Sequence, residues 1–287
     1  MRDGGPRVVA LGGGHGTAVT LSAARHYAGD LTAIVSVADD GGSSGRLRQS
    51  LGIPAPGDLR RCLVALSDPD TNALAQAFEH RFEDGHALGN LIIAGLTAST
   101  GSFIKALDEA ARLLEADGRV LPATKDAVIL KAVADTGEIE GQVNVASAGR
   151  IAHVGIVPAD ACPPQEALDA IAAADQLVLG PGSLFTSVLA VVAVTHLRRA
   201  LRRADAPVVY VCNLRTSDET PGFDVAAHVD ALVAHGLTPD VVLADPAAIE
   251  VGSVADGVRV VLANLTDRAT AAHDPVRLAR LLADLVG

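Results

Sequence analysis

Short apolar runs alternate along this chain with longer segments whose apolar positions recur every three or four residues. The runs at 7–11 (RVVAL), 31–37 (LTAIVSV), 127–133, 150–157, 176–179, 207–212 and 240–243 are β-branched and nearly uninterrupted. Runs of that kind read as strands covered on both faces, the habit of a parallel sheet. Helical spacing predicts helices at 18–27, 164–174, 183–193, 196–204 and 223–236. Residues 7–37 thus form one β-α-β unit. From 43 to 116 the pattern changes to helix after helix, at 59–66, 73–82, 88–97 and 103–114. The tail from 258 to 287 returns to strand and then helix. The expectation is a single α/β domain over 1–287: a doubly wound, mostly parallel Rossmann-like sheet with a mostly helical insertion at about 43–116.

Composition narrows the function. A net charge of −11 repels polyphosphate backbones, which argues against a nucleic-acid partner. With aromatics at 2% and no Trp, base stacking on a single-stranded platform is equally poorly served. Cys62, Cys162 and Cys212 form no CxxC and no zinc spacing, and read as small hydrophobes of a reducing compartment. The start, MRDGGP, runs straight into a strand without the apolar stretch of a signal peptide. No apolar stretch approaches the roughly 20 residues of a spanning helix. A cytoplasmic protein without membrane insertion is expected.

The chemistry concentrates in loops that follow strands. Gly12, Gly13, Gly14, His15 and Gly16 lie between the first strand and first helix, where glycines let a ligand approach the main chain and the helix start offers N–H groups to phosphate. The spacing matches neither a dinucleotide fingerprint nor a Walker A loop. A structural turn is the competing reading. After the second strand come Asp39, Asp40, Gly41 and Gly42, then Ser43, Ser44, Gly45 and Arg46. Asp39 or Asp40 could hold a divalent cation, or accept from ribose or base donors; a turn capped by Ser43 or Ser44 is the plain alternative. Arg46, Arg48, Arg60 and Arg61 could grip phosphate or lie on solvated helix surface, and Asp58 reads as a helix N-cap. Asn90 sits in an apolar helix and needs partners there, whether a ligand or protein. His86 could serve as acid–base group or ligand, but no His stands at i+4 to support metal. Gly180, Pro181, Gly182 and Ser183 repeat the strand, glycine turn and helix start, and Asn213 lies just past another strand.

Taken in order, GGGHGT, TAIVSVADDGGSSGRLR, LGIPAPGDLRRCLVALSD, GHALGNLIIAGLT, VLPAT and GPGSLFTSVLA resemble the YvcK-type gluconeogenesis factors, a branch of the family that includes 2-phospho-L-lactate transferase (CofD). The likeness covers about 6–246. It implies a Rossmann-like core and binding of a nucleotide-sugar, UDP-N-acetylglucosamine, by a bacterial regulatory protein linked to growth on gluconeogenic carbon sources and to cell shape. It implies that residues 12–16, 39–42, 90, 180–183 and 213 lie on ligand-contacting loops. No cofactor is required on that reading, although Mg²⁺ could accompany a nucleotide diphosphate. The alternative is a metal-dependent transferase of the 2-phospho-L-lactate transferase type. A nicotinamide-linked oxidoreductase is a third, weaker reading, resting on the first β-α-β unit alone. A homodimer is the base-rate expectation, and a regulatory role implies a protein partner. Three positions depart from the family pattern: His15 replaces a common Thr, Arg61 a common Asn, and the run 213–220 is one residue short and lacks its Gly.

Overall fold

The structure is a computed structural model that describes residues 4–68, 71–267 and 269–286. Met1–Asp3, Pro69, Asp70, Arg268 and Gly287 lie outside the described residues, and with them fall the first residues and parts of the tail discussed above.

β1 (Arg7–Gly12), α1 (Gly14–Ala24) and β2 (Asp30–Val35) build the first unit. Among the described residues, five helices precede the next strand: α2 (Gly42–Leu51), α3 (Gly57–Leu66), α4 (Ala73–Glu79), α5 (Leu88–Thr100) and α6 (Phe103–Leu113). Two of these have side-chain caps: Asn72 accepts from the N–H groups of Leu74 and Ala75 to start α4, and Ser102 accepts from Lys105 to start α6. β3 (Arg119–Pro122) follows, then a small antiparallel sheet of β4 (Ile129–Ala134), β5 (Gly137–Glu140) and β6 (Ile151–Val157), with α7 (Gln142–Ala146) between the last two. The second half carries α8 (Gln165–Ala173), β7 (Gln176–Leu179), a π-helical turn at Leu184–Val188, α9 (Leu189–Val192), α10 (Thr195–Leu201), β8 (Val208–Val211), α11 (Val225–Ala234), β9 (Val241–Ala244) and β10 (Arg259–Leu262). The chain closes with β11 (Thr266–Asp267), β12 (Ala272–His273) and α12 (Pro275–Ala283).

The main sheet has seven strands in the order β10-β9-β8-β7-β1-β2-β3. Every neighbouring pair is parallel. β7, β8 and β9 are buried along their whole length, as continuous aliphatic runs between two helix layers should be. The order reverses between β1 and β7: β2 and β3 extend one way from β1, β8 to β10 the other. That reversal opens a crevice outside the carboxyl ends of the strands.

Two expected strands belong elsewhere. Residues 127–133 and 150–157 form β4 and β6 of the antiparallel sheet, paired Ile129 to Val157, not members of the parallel one. The pattern of β4 has period two: Leu130, Ala132 and Ala134 are buried, while Ile129 and Val133 face outward. Apolar residues on the wet face made that alternation look continuous. β3 was not anticipated, being four residues long and closed by Pro122. No single described helix is long and apolar enough to cross a membrane.

Candidate functional site

The glycine turn after β1 and the one after β7 stand side by side, because their strands are register neighbours with Leu11 opposite Leu179. The hydroxyl of Thr20 in α1 donates to the Gly180 carbonyl at 2.5 Å. At Gly16 the two turns touch: a methyl group there would lie 1.9 Å from the Pro181 carbonyl oxygen, so only glycine fits. Helix α1 begins at Gly14, earlier than the expected 18. Gly14, His15 and Gly16 therefore occupy its first turn, where N–H groups have no intrahelical acceptor.

The stretch after β2 also becomes helix almost at once. α2 starts at Gly42 with Gly41 as its N-cap, so Ser43 and Ser44 lie inside the first turn and cap nothing. Asp39 accepts from the Gly41 N–H at 2.9 Å and stays on the crevice side. Asp40 does not line the crevice. It accepts from the Val143 N–H at 3.1 Å and so fastens α7 across the opening. Gln142 completes that tie by donating to the Thr186 carbonyl at 2.9 Å.

These parts enclose a cleft of about 630 Å³ outside the β1/β7 reversal. Of the anticipated residues, Gly13, Gly14, His15, Gly16, Asp39, Gly41, Gly42, Asn90, Gly182 and Ser183 line it. Gly12, Asp40, Gly180, Pro181 and Asn213 do not. Pro181 and Asn213 instead line a smaller pocket of about 360 Å³ that shares His15, Gly16, Gly182 and Ser183 with the cleft. The Asn213 side chain accepts from the Gly182 N–H at 3.1 Å, and so holds the glycine turn in place.

The second glycine turn is less of an anion site than its sequence implies. It leads into a π-helical turn whose N–H groups at Phe185 and Thr186 already donate to Glu219, at 2.9 and 3.0 Å, as does the Thr186 hydroxyl. The protein's own carboxylate occupies the place an external anion would take. Burial pushes the Glu219 carboxyl up, against the hydrogen bonds that favour its anion.

The arginines divide. Arg46 donates to the Asp84 carbonyl and to His86, and Arg48 to the Val128 carbonyl; both brace loops away from the cleft. Arg60, Arg61 and Arg81 line the cleft. Arg60 is buried at 1% exposure, ion-paired to Glu79 and donating to the Phe78 carbonyl, while its Nε has no partner. Arg61 pairs with Asp58 at 2.7 Å.

Asp58 and Glu219 were missed as site residues. Asp58 is not an N-cap, since Pro56 holds that position in α3; it lies in the first turn, buried, facing the first glycine turn. A methyl group on Gly13 would meet its Oδ2 at 2.9 Å. Burial pushes the Asp58 carboxyl up to about 6, with the nearby Asp39 charge adding to the rise and Arg61 opposing it. His15 is held below the usual imidazole range by burial and by Arg61. Asp39 and Asp58 thus form the carboxylate pair of this cleft. Among the described residues no group of three or more His, Cys, Asp or Glu side chains is arranged to hold a metal. Cys62 and Cys212 are buried and Cys162 is exposed, all three as free thiols.

The family described as 2-phospho-L-lactate transferase CofD matches residues 8–277. The gluconeogenesis factor of Halalkalibacterium halodurans is 43% identical over 82% of this chain and 76% of its own length. The gluconeogenesis factor of Bacillus subtilis is 42% identical over 80% of this chain and 75% of its own. The chain belongs to the CofD family. A solved structure is similar to this chain along nearly its whole length. The crystal structure of a UPF0052-family protein from Bacillus halodurans superposes with a TM-score of 0.90 at 35% identity, covering 98% of this chain and 99% of that one. Within this CofD-family chain the shortened run 213–220 still delivers Asn213 and Glu219 to the second glycine turn.

Proposed function

We propose that the chain is a gluconeogenesis factor that binds a nucleotide-sugar in this cleft, with UDP-N-acetylglucosamine as the ligand, and acts as a regulatory protein in growth on gluconeogenic carbon sources and in cell shape. The observation that carries the reading is the convergence of two glycine-started helix ends, α1 and α2, on one cleft at the sheet's reversal, with Arg60, Arg61 and Arg81 along it. Main-chain N–H groups and helix dipoles favour a diphosphate there. Hydrogen bonds to a charged phosphate contribute about 1.5–3 kcal/mol each, so two or three give useful affinity before the base is read. The cleft volume is that of a small-molecule site. The relatives named gluconeogenesis factor support the physiological part.

A second reading is favoured by the carboxylate pair: a metal-dependent transferase of the CofD type. Asp39 and Asp58 fit Mg²⁺, which takes one or two carboxylates together with ligand phosphates. Bound there, Mg²⁺ would neutralise charge on a diphosphate. A thermal-shift screen of nucleotide-sugars, with and without Mg²⁺, separates the readings, since a ligand bound by the native state raises the melting temperature. Stabilisation by UDP-N-acetylglucosamine without metal, and intact ligand afterwards, is the outcome the first reading requires. Stabilisation only with Mg²⁺, together with consumption of a guanosine-diphosphate-linked lactyl phosphate, would establish the second.

A further inference from the structure

Ser43 opens the cleft side of α2, and its hydroxyl is held by two donors. Asn90 Nδ2 donates to Ser43 Oγ at 3.0 Å. His86 Nδ1 lies 2.9 Å from the same oxygen. The tautomer of His86 follows from its other side, where Arg46 Nε, which can only donate, points at His86 Nε2 from 3.3 Å. Nε2 is therefore the acceptor and Nδ1 carries the hydrogen, so His86 also donates to Ser43. Both lone pairs of Ser43 Oγ are then used, and its own proton must go to an acceptor. No protein acceptor for it occurs among the described contacts, and Ser43 lines the cleft.

Beside it stands the opposite deficit. Asn90 is 2% exposed, lines the same cleft, and its Oδ1 has no hydrogen-bond partner. A buried amide oxygen is rarely left without a donor in a folded protein. The cleft therefore presents, side by side, one hydroxyl that must donate and one carbonyl that must accept.

We infer that Ser43 and Asn90 form a two-point subsite for a phosphoryl oxygen and a neighbouring N–H or O–H donor of the same ligand, with His86 as the positioning residue that turns the Ser43 proton toward the phosphate. A sugar phosphate has this arrangement of groups, an acceptor oxygen at the anomeric phosphate and a hydroxyl or acetamido donor on the next carbon. The free N–H groups at the start of α2 add to the phosphate half. The inference rests on the proposed nucleotide-sugar ligand for its sugar half; the phosphate half stands on Ser43, Asn90 and His86 alone.

Calorimetric titration of the full chain with UDP-N-acetylglucosamine, and separately with inorganic pyrophosphate, tests it. Ser43→Ala should weaken both ligands by about tenfold or more, the range for a lost hydrogen bond to a charged group. His86→Ala should weaken both about fivefold, and His86→Asn, whose amide can donate from the Nδ1 position, should recover most of that loss. In a Ser43→Ala background, His86→Ala should add less than about twofold, because the two residues act through one proton. Asn90→Asp keeps an acceptor for the ligand's donor but loses the amide that supports Ser43 and sets a negative charge beside the phosphate, so it should weaken pyrophosphate at least as much as the sugar nucleotide. Melting curves accompany each variant, and one that no longer unfolds cooperatively is replaced by Ser43→Cys or His86→Gln at the same position. Full additivity of the Ser43 and His86 effects, or an Asn variant of His86 as weak as the Ala variant, overturns the relay. Pyrophosphate binding that is indifferent to Ser43 overturns the phosphate half. Pyrophosphate binding that responds to Ser43, in a protein indifferent to UDP-N-acetylglucosamine, sinks the nucleotide-sugar reading and leaves the phosphate subsite standing.

Discussion

Asp58 keeps a carboxylate next to Asp39 in a buried wall, with Arg61 as its only ion-pair partner among the described residues. A folded-state value near 6, above the ordinary 3.8, means that the native protein binds a proton more tightly than the unfolded chain. The sign follows: the protein loses stability as pH rises from about 4 to 6, and the loss is complete above that window. Asp58→Asn should therefore raise the unfolding free energy by about 1–3 kcal/mol at pH 8, and by close to nothing at pH 4. Urea melts of both proteins at the two pH values check this. An equal effect at both would show that ionisation of Asp58 is not what strains the fold. Gly16 makes the opposite prediction, for an alanine there meets a main-chain carbonyl that cannot step aside. Gly16→Ala should cost about 3 kcal/mol, the upper range for overpacking, measured by the same melts.

Elements explain why some of the site could be read in advance and some could not. The strand, glycine and helix order at 12–16 and 180–183 was legible, because a parallel sheet places every such turn on one edge. So was the run of helices between β2 and β3, from its 3.6-residue spacing. What each turn does depended on partners far away in sequence. Glu219 lies more than 30 residues from the N–H groups it accepts, and nothing near 183 betrays it. Asp40 adjoins Asp39 in sequence, yet points at α7, about 100 residues on. The antiparallel sheet escaped notice because Ile129 and Val133 are apolar on its wet face. Two expectations belong at this scale. Glu219→Ala leaves two buried N–H groups and a hydroxyl without an acceptor, at about 1–3 kcal/mol each, and should lower the melting temperature sharply; Glu219→Gln should lose roughly half as much. Asp40→Ala should leave overall stability within about 1 kcal/mol while hydrogen exchange at 141–146 quickens several-fold. Unchanged exchange there would mean that α7 is held to the cleft by Gln142 alone.

Across the whole molecule, one feature of topology makes the site: the strand order reverses between the parallel neighbours β1 and β7, so two glycine turns from distant parts of the chain become neighbours. The helices after β2 then bring Asp58, Arg61 and Asn90 over that edge, and the antiparallel sheet lends α7 as the last wall. An acidic chain of net charge −11 thereby gathers backbone amides and three arginines, groups whose charge suits an anion, in one place. The amide signals of an isotope-labelled chain, followed by nuclear magnetic resonance during addition of UDP-N-acetylglucosamine, report on this arrangement directly. The amides of Gly14, His15, Gly16, Gly42 and Ser43 should shift in a saturable way, while those of Phe185 and Thr186, already bonded to Glu219, stay in place. Shifts confined to 180–187, or none at millimolar ligand, would contradict the account.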